Sequence, residues 1–177
     1  MNSSLSDKEI VQAIRSSDTD AFQKLYYRYY EPLYRFIWIK TNSAELSKDF
    51  IQEVFTRVWK NRYNLNQNKS IKAYLYRIAN NLMIDHFRKK GHEKKYLSDL
   101  KHRDASAYHD PVEMKLMIDH AVHELPEKVR QIFIFSRYQG LSYQEIAEVC
   151  QISIKTVEGR MSRALNLLRE ALLPFSK

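Results

Sequence analysis

Residues 142–157, SYQEIAEVCQISIKTV, contain two helix starts separated by a short break. Ser142 and Glu145 have the spacing of a capping box, in which each side chain bonds a free backbone N–H of the first turn. Residues 150–152 form a tight connection, and Ser153 can cap a second, longer helix. A short helix, a three-residue turn and a longer helix are typical of a helix-turn-helix, whose second helix enters the DNA major groove.

The second helix of this segment has an apolar face and a polar, basic face. At 100° per residue, one side collects residues that we expect to be core: Ile154, Val157, Met161, Ala164, Leu165 and Leu168. Cations and hydroxyls occupy the remaining sides, where they can contact phosphates or base edges. The candidate DNA contacts are Lys155, Thr156, Glu158, Arg160, Ser162 and Arg163. Gly159 either lets the duplex approach the backbone or is a neutral surface residue.

The net charge of the chain is +8, and the excess is concentrated in two segments. Residues 69–95 contain eight Lys or Arg against two acidic residues, and residues 155–169 carry a smaller excess. Two separate basic segments predict two contacts with one long polyanion. The alternative reading is two solvated helix faces, which is what charged runs usually are.

Composition excludes several classes of protein. Cys150 is the only cysteine, so a disulfide framework is impossible and a reducing, cytoplasmic setting fits. The first residues lack a signal peptide, and the longest apolar stretches, such as residues 132–135, are far too short to span a membrane. With only 3 Gly and 4 Pro, the chain has little material for tight hairpins. We therefore expect an all-α protein.

Helix signals divide the chain into two small helical domains joined by a flexible linker. The first domain, residues 1–91, has four helix starts, whose expected N-caps are Ser6, Asp18, Ser43 and Ser70. Within its second helix, Pro32 predicts a break or a kink. No helical or strand period runs through residues 92–111, which we interpret as the linker. Residues 112–177 are predicted to form a four-helix domain that ends in the helix-turn-helix, with Pro126 opening its second helix.

The last helix of the first domain, predicted to begin at Ser70, carries a strip of mixed chemistry beside its apolar stripe. The strip contains an aromatic ring, an amide and two cations: Tyr74, Arg77, Asn81 and Arg88. Rings stack on exposed base faces, amides bond base edges and cations hold phosphates, so the mixture suits single-stranded or melting nucleic acid. An asparagine-rich loop, residues 61–69, adds hydrogen-bonding groups near the same end.

A different strip lies on the preceding predicted helix. Its members recur at helical spacing and are polar or acidic: Asp49, Gln52, Glu53 and Thr56. Carboxylates repel phosphates, so this strip is not a DNA face. It is either plain solvated surface, the usual case, or a docking site for a protein partner.

Three segments together resemble the bacterial sigma factors of the sigma-70 family. Residues 49–55, DFIQEVF, followed by Trp59, resemble the core-polymerase-binding motif. Residues 73–81, AYLYRIANN, resemble the promoter-melting and minus-10 helix. Residues 125–169 are similar to the minus-35-binding domain, with LSYQEIA at 141–147 opening the helix-turn-helix. The order, separation and length resemble the extracytoplasmic-function (ECF) subgroup, and the capping and linker details its iron-citrate-type branch.

The resemblance implies a role for each surface in transcription initiation. The strip Asp49, Gln52, Glu53 and Thr56 would bind core RNA polymerase. The implied minus-10 contacts are Asn64, Asn66, Asn68, Tyr74, Arg77, Asn81, Asp85 and Arg88. The implied minus-35 contacts are Lys155, Thr156, Glu158, Arg160, Ser162 and Arg163. The implied partners are core polymerase, promoter DNA and a membrane-associated anti-sigma factor, with no small-molecule substrate, cofactor or metal.

Two rival hypotheses come from the residues themselves. A stand-alone helix-turn-helix transcription regulator accounts for the second domain but leaves both strips of the first domain without a role. An enzyme or metal protein is suggested by six histidines, and His120 and His123 are three apart on a predicted helix. No third ligand joins them at a suitable spacing, and no glycine-rich phosphate loop or nucleophile motif is present. We therefore do not expect an enzyme.

Overall fold

The computed structural model describes residues 5–89 and 111–173, and every regular element within those ranges is helical. The helices are α1 (Asp7–Arg15), α2 (Thr19–Thr41), α3 (Ala44–Lys60), a 3-10 turn (Arg62–Asn64), α4 (Ile71–Lys89), α5 (Pro111–Glu124), α6 (Glu127–Arg137), α7 (Tyr143–Cys150) and α8 (Ile154–Leu172). The all-α prediction is confirmed for these ranges. The chain forms two compact units, one containing α1 to α4 and the other α5, α6, α8 and most of α7.

The predicted linker, residues 92–111, lies outside the described residues except for its last member. Pro111 begins α5, so the predicted boundary was wrong there by one residue. The first helical position suits proline, because its missing N–H would have no helical acceptor. The predicted end of α4 at Gly91 also lies outside the described residues.

Side-chain caps start most of the helices where the sequence predicted them. The confirmed caps are Ser6, Asp18, Ser43, Ser70, Ser142 and Ser153. Ser6 and Ser142 form complete capping boxes with Glu9 and Glu145, respectively. Each such cap stabilises its helix by about 1 kcal/mol. Pro126 lies one position earlier than predicted, as the N-cap of α6 rather than its first residue.

In the first unit α2 packs against α1, α3 and α4. The helix runs unbroken through Pro32, so of the two predicted outcomes, a break or a kink, the break was wrong. A proline in a helix interior costs about 3 kcal/mol. Leu25, Leu33 and Phe36 are almost completely buried on either side of it, and each contributes about 1.5–3 kcal/mol. Burial of the apolar stripe therefore outweighs the cost of the proline.

In the second unit α8 packs on α5 and α6. Four residues of its predicted core face are buried: Val157, Met161, Ala164 and Leu168. Ile154 and Leu165 were predicted to be core and are not, since they are 46% and 39% exposed. At 100° per residue both lie roughly 50–70° to the same side of the centre of the buried stripe, at one edge of it. Within the described ranges, no helix has the length and apolar character needed to cross a membrane.

Candidate nucleic-acid and protein interfaces

The turn between α7 and α8 has the geometry of a helix-turn-helix. Gln151 ends α7 in the left-handed region, with φ 55° and ψ 46°. The Ile152 N–H then donates to the Ala147 carbonyl oxygen at 3.1 Å, which folds the chain back on α7. The turn occupies residues 151–153, one position later than predicted, because Cys150 remains helical. Three residues therefore separate the end of α7 from the start of α8.

The outward face of α8 is accessible and cationic. Lys155, Glu158, Ser162 and Arg163 are exposed, whereas Thr156 and Arg160 are half-buried. The Thr156 hydroxyl lies 2.8 Å from the Ser153 hydroxyl, so it also takes part in capping the helix. Within the described ranges no ion pair involves Lys155, Arg160 or Arg163, so all three cations remain available to an anionic ligand. A Cβ added at Gly159 would meet nothing within 4 Å, which leaves open space on this face.

Hydrogen bonds join the asparagine-rich loop of the first unit to α4. The Asn64 amide donates to the Asn61 side-chain oxygen at 2.8 Å, and the Asn61 amide donates to the Tyr74 hydroxyl at 3.0 Å. The Arg77 guanidinium lies 5.3 Å from the centre of the Tyr74 ring. Of the predicted minus-10 residues, the structure thus links Asn64, Tyr74 and Arg77 in one chain of contacts. Sequence reasoning missed Asn61 as the connecting residue, although it lies within the predicted loop.

The remaining predicted residues of this surface form local pairs. Asn66 accepts a hydrogen bond from the Asn68 backbone N–H at 2.9 Å, which shapes the loop. Asp85 and Arg88 are exposed and form an i, i+3 ion pair at 3.1 Å on α4. Asn81 is half-buried between them and Arg77 along the same helix. The Arg88 charge is therefore partly balanced before any phosphate approaches.

The acidic strip is accessible on α3. Asp49 and Gln52 are exposed, and Glu53 and Thr56 are half-buried. Glu53 accepts a hydrogen bond from Arg57 Nε at 2.6 Å, one turn further along the helix. At this degree of exposure the pair stabilises the helix by only about 0.3–0.5 kcal/mol. Glu53 can therefore exchange Arg57 for another cation at little cost to the fold.

Beside the strip, α2 and α3 enclose a groove of about 550 Å³ that sequence reasoning did not predict. Its walls are aromatic: Phe22, Tyr26, Tyr30, Phe55 and Trp59. Gln52 and Thr56 of the strip lie on its edge, and Lys48 and Lys60 also line it. We call this the aromatic groove. The aromatic residues of the groove are four positions apart within each helix, which is a signal in the sequence. The same spacing is equally typical of residues in a buried core.

The two histidines behind the metal hypothesis, His120 and His123, lie on α5. Among the described residues, no group of three or more His, Cys, Asp or Glu side chains is close enough to hold a metal ion. His123 lies near Glu124, with 3.7 Å between Nδ1 and Oε1, and this pair is mostly at the surface.

The fold and these surfaces define a class: a helical DNA-binding protein with a helix-turn-helix formed by α7 and α8 and an accessible, partly acidic strip on α3. Two family models match the chain, Sigma-70 region 2 over residues 25–93 and Sigma-70, region 4 over residues 115–168. The chain belongs to the sigma-70 family of transcription initiation factors, in its ECF group.

The sequences of known relatives align with most of the chain. The ECF RNA polymerase sigma factor SigW of Bacillus subtilis is 28% identical over 93% of this chain and 96% of its own length. The ferric citrate uptake sigma factor FecI of Escherichia coli is 29% identical over 81% of this chain and 86% of its own length. The fold is shared with the sigma factor RpoE of Bartonella quintana, solved in complex with the anti-sigma factor NepR, at a TM-score of 0.65 and 22% identity, over 85% of this chain and 96% of that one.

Proposed function

We propose that this sigma factor binds core RNA polymerase through its first unit, recognises minus-35 and minus-10 promoter elements and promotes promoter melting. One observation carries the proposal: three chemically different accessible surfaces occur in one chain. They are the acidic strip with its aromatic groove, the loop and α4 surface, and the outward face of α8. In this assignment residues 1–91 form the polymerase- and minus-10-binding domain, and residues 112–177 form the minus-35-binding domain.

The polymerase-binding surface is the acidic strip together with the aromatic groove. Asp49 and Glu53 offer carboxylates to a basic partner, while the groove offers rings for the partner's apolar side chains. Tyrosine and tryptophan are enriched in protein interfaces because each combines a large apolar area with a polar group. Gln52 and Thr56 border both parts, so one partner can cover them together. The carboxylates of the strip repel a DNA backbone, which favours a protein partner here.

The minus-10 surface is the asparagine-rich loop and the adjoining strip of α4. Its residues are Asn64, Asn66, Asn68, Tyr74, Arg77, Asn81, Asp85 and Arg88. Asparagine amides can donate to and accept from base edges, and such readout needs bases that are free of their partners. The contacts that join Asn64 to Tyr74 and Arg77 favour a single prearranged surface for one melted strand.

The minus-35 surface is the outward face of α8, which would enter the major groove of intact duplex. Its residues are Lys155, Thr156, Glu158, Arg160, Ser162 and Arg163. Arginine donates to guanine O6 and N7, glutamate accepts from cytosine N4, and lysine neutralises phosphates. This face is largely exposed, and among the residues that the structure describes its three cations form no ion pair, which supports the assignment.

Two further proposals concern regulation. The sigma factor RpoE of Bartonella quintana was solved in complex with an anti-sigma factor. We propose that this chain acts in the cytoplasm and is bound there by a membrane-associated anti-sigma factor. We also propose that the chain belongs to the iron-citrate-type branch. Sequence identity does not distinguish this branch, because SigW and FecI match at 28% and 29%. The proposal therefore rests on the capping and linker details of the sequence. Genes for a single-span regulator and an outer-membrane receptor beside this one would support the branch. Their absence would contradict it.

The test is transcription in vitro from fragmented genomic DNA with core polymerase and the purified chain. The expected result is a set of transcripts that start at defined promoters and require the chain. No promoter-dependent transcript from any fragment would overturn the proposal. Retention of core polymerase on the immobilised chain distinguishes the proposed function from a stand-alone regulator. A sigma factor retains core polymerase stoichiometrically, whereas a regulator that binds duplex DNA alone does not need to.

A further inference from the structure

Arg62 joins three segments of the first unit through its guanidinium. Its Nε donates to the Ser17 hydroxyl at 2.9 Å, and one terminal nitrogen donates to the Trp59 carbonyl oxygen at 2.9 Å. The other terminal nitrogen donates to the Tyr63 hydroxyl at 2.6 Å. The guanidinium also lies 4.6 Å from the centre of the Trp59 ring and 4.2 Å from that of Tyr63. We call Arg62, Ser17, Trp59 and Tyr63 the Arg62 clasp.

Ser17 receives this bond in an uncommon backbone conformation. Its φ is 65°, in the left-handed region that non-glycine residues seldom occupy. Its hydroxyl also lies 3.2 Å from the Tyr63 hydroxyl, so the two hydroxyls and the guanidinium form a closed triangle. These contacts, the Ser17 hydroxyl first and the Arg62 charge second, lower the pKa of the Tyr63 phenol. Uncommon backbone conformations persist where the surroundings hold them, often beside functional sites.

The clasp includes the first turn of the asparagine-rich loop. Arg62 and Tyr63 belong to the 3-10 turn that ends at Asn64. On one side this turn is tied to the α1–α2 connection through Ser17. On the other side Asn64 is tied through Asn61 to α4. The turn is therefore tied to two other segments, and Arg62 makes one of these ties with a guanidinium whose three nitrogens all donate to acceptors in the same unit.

We propose that Arg62 is a positioning residue, which with Ser17 and Tyr63 holds the asparagine-rich loop in the orientation that distinguishes bases of the melted strand. This inference rests on the proposed minus-10 role of the loop. Arg62 itself need not touch DNA. Its effect comes from geometry, because three donors in a fixed fork reach three acceptors at once, which a lysine ammonium on a flexible stem does not reproduce.

Charge and geometry make opposite predictions for Arg62→Lys. A cation that merely attracts phosphates is preserved in Arg62→Lys and lost in Arg62→Ala. A clasp is lost in both variants. Two milder variants probe the same contacts: Ser17→Ala removes one acceptor, and Tyr63→Phe removes a hydroxyl while keeping the ring on the guanidinium. Arg35→Lys is the matched control, since Arg35 pairs with Glu31 on the surface of α2 and has no part in the clasp.

The experiment uses holoenzyme assembled from core polymerase and each variant. The probe is a pool of fork-junction DNA with randomised bases in both its duplex segment and its single-stranded segment, and the retained molecules are sequenced. For the wild type and Arg35→Lys we expect base preferences in both segments. For Arg62→Lys and Ser17→Ala we expect the preference at one or more single-stranded positions to fall about fivefold or more, the scale of one lost base contact. Duplex preferences and affinity for core polymerase should stay unchanged, and the urea midpoint of unfolding should fall only slightly, because the lost hydrogen bonds are exposed or only partly buried.

Three outcomes overturn the inference. Wild-type preferences in Arg62→Lys and Ser17→Ala would show that the clasp positions nothing. Equal loss of preference in the duplex and single-stranded segments, with a large fall in the urea midpoint, would show a role in folding alone. Loss in Arg62→Ala with full retention in Arg62→Lys would make Arg62 a phosphate contact. A wild-type holoenzyme that selects no single-stranded sequence would instead refute the proposed function, and the inference with it.

Discussion

Reversing the charge of Glu53 tests the polymerase-binding surface with little disturbance of the fold. The Glu53–Arg57 pair has 44% and 50% exposed side chains, so its loss costs about 0.3–0.5 kcal/mol. Two arginines at i, i+4 add a repulsion of similar size. The free energy of unfolding of Glu53→Arg should therefore fall by no more than about 1 kcal/mol, measured by urea titration.

Binding to core polymerase should respond much more strongly. Removing one partner of a charge pair buried in an interface costs about 2–5 kcal/mol, and a reversed charge adds repulsion. The Kd of fluorescently labelled Glu53→Arg for core polymerase, measured by anisotropy, should rise about 30-fold or more. A large rise in Kd with only a small loss of stability would identify Glu53 as part of the polymerase-binding surface.

Glu31→Arg is the matched control for this prediction. Glu31 forms the same kind of i, i+4 pair with Arg35, at 2.8 Å, on α2 of the same unit. The control should lose a similar fraction of a kcal/mol of stability and bind core polymerase within about threefold of the wild type. An unchanged Kd for Glu53→Arg would remove the acidic strip from the proposed function. An equal loss in Glu31→Arg would show that net charge alone governs binding.

Three further predictions concern α8 and the first unit. Arg163→Ala should weaken binding to promoter duplex by about 1–3 kcal/mol if the guanidinium contacts a base edge, or reduce the slope of log binding constant against log salt by about one if it contacts phosphate. Anisotropy at several salt concentrations measures both. No change in either would show that this face is ordinary solvent-exposed surface. Gly159→Ala should raise the free energy of unfolding by about 0.8–1 kcal/mol in urea titration, because the added Cβ meets open space, and a decrease would contradict that placement. Burial raises the pKa of the Tyr76 phenol. Above about pH 10 the unfolded chain therefore ionises this group while the native chain does not, so the free energy of unfolding falls as pH rises. Tyr76→Phe should make that decline shallower between pH 9 and about pH 11, and an unchanged slope would show that Tyr76 does not contribute to it.

Local signals predicted the helices well and their packing less well. The cap residues were correct because a cap bonds backbone groups within three residues and needs no other part of the chain. Ile154 and Leu165 were assigned to the core because they lie near the apolar stripe, but only the positions of α5 and α6 decide how wide a stripe is covered. Pro32 was expected to break or kink α2, and the packing of α1, α3 and α4 against that helix excludes the break.

The sequence by itself determined the helical architecture, the family and the surfaces that carry opposite charge. Periodicity and capping are written in neighbouring residues, and charge can be counted. The tertiary structure decided which side chains meet: Arg62 with Ser17, 45 residues away, Asn61 with Tyr74, 13 residues away, and the rings of α2 and α3 around one groove. Those contacts depend on how helices pack against one another, a property of the whole unit that no local pattern encodes.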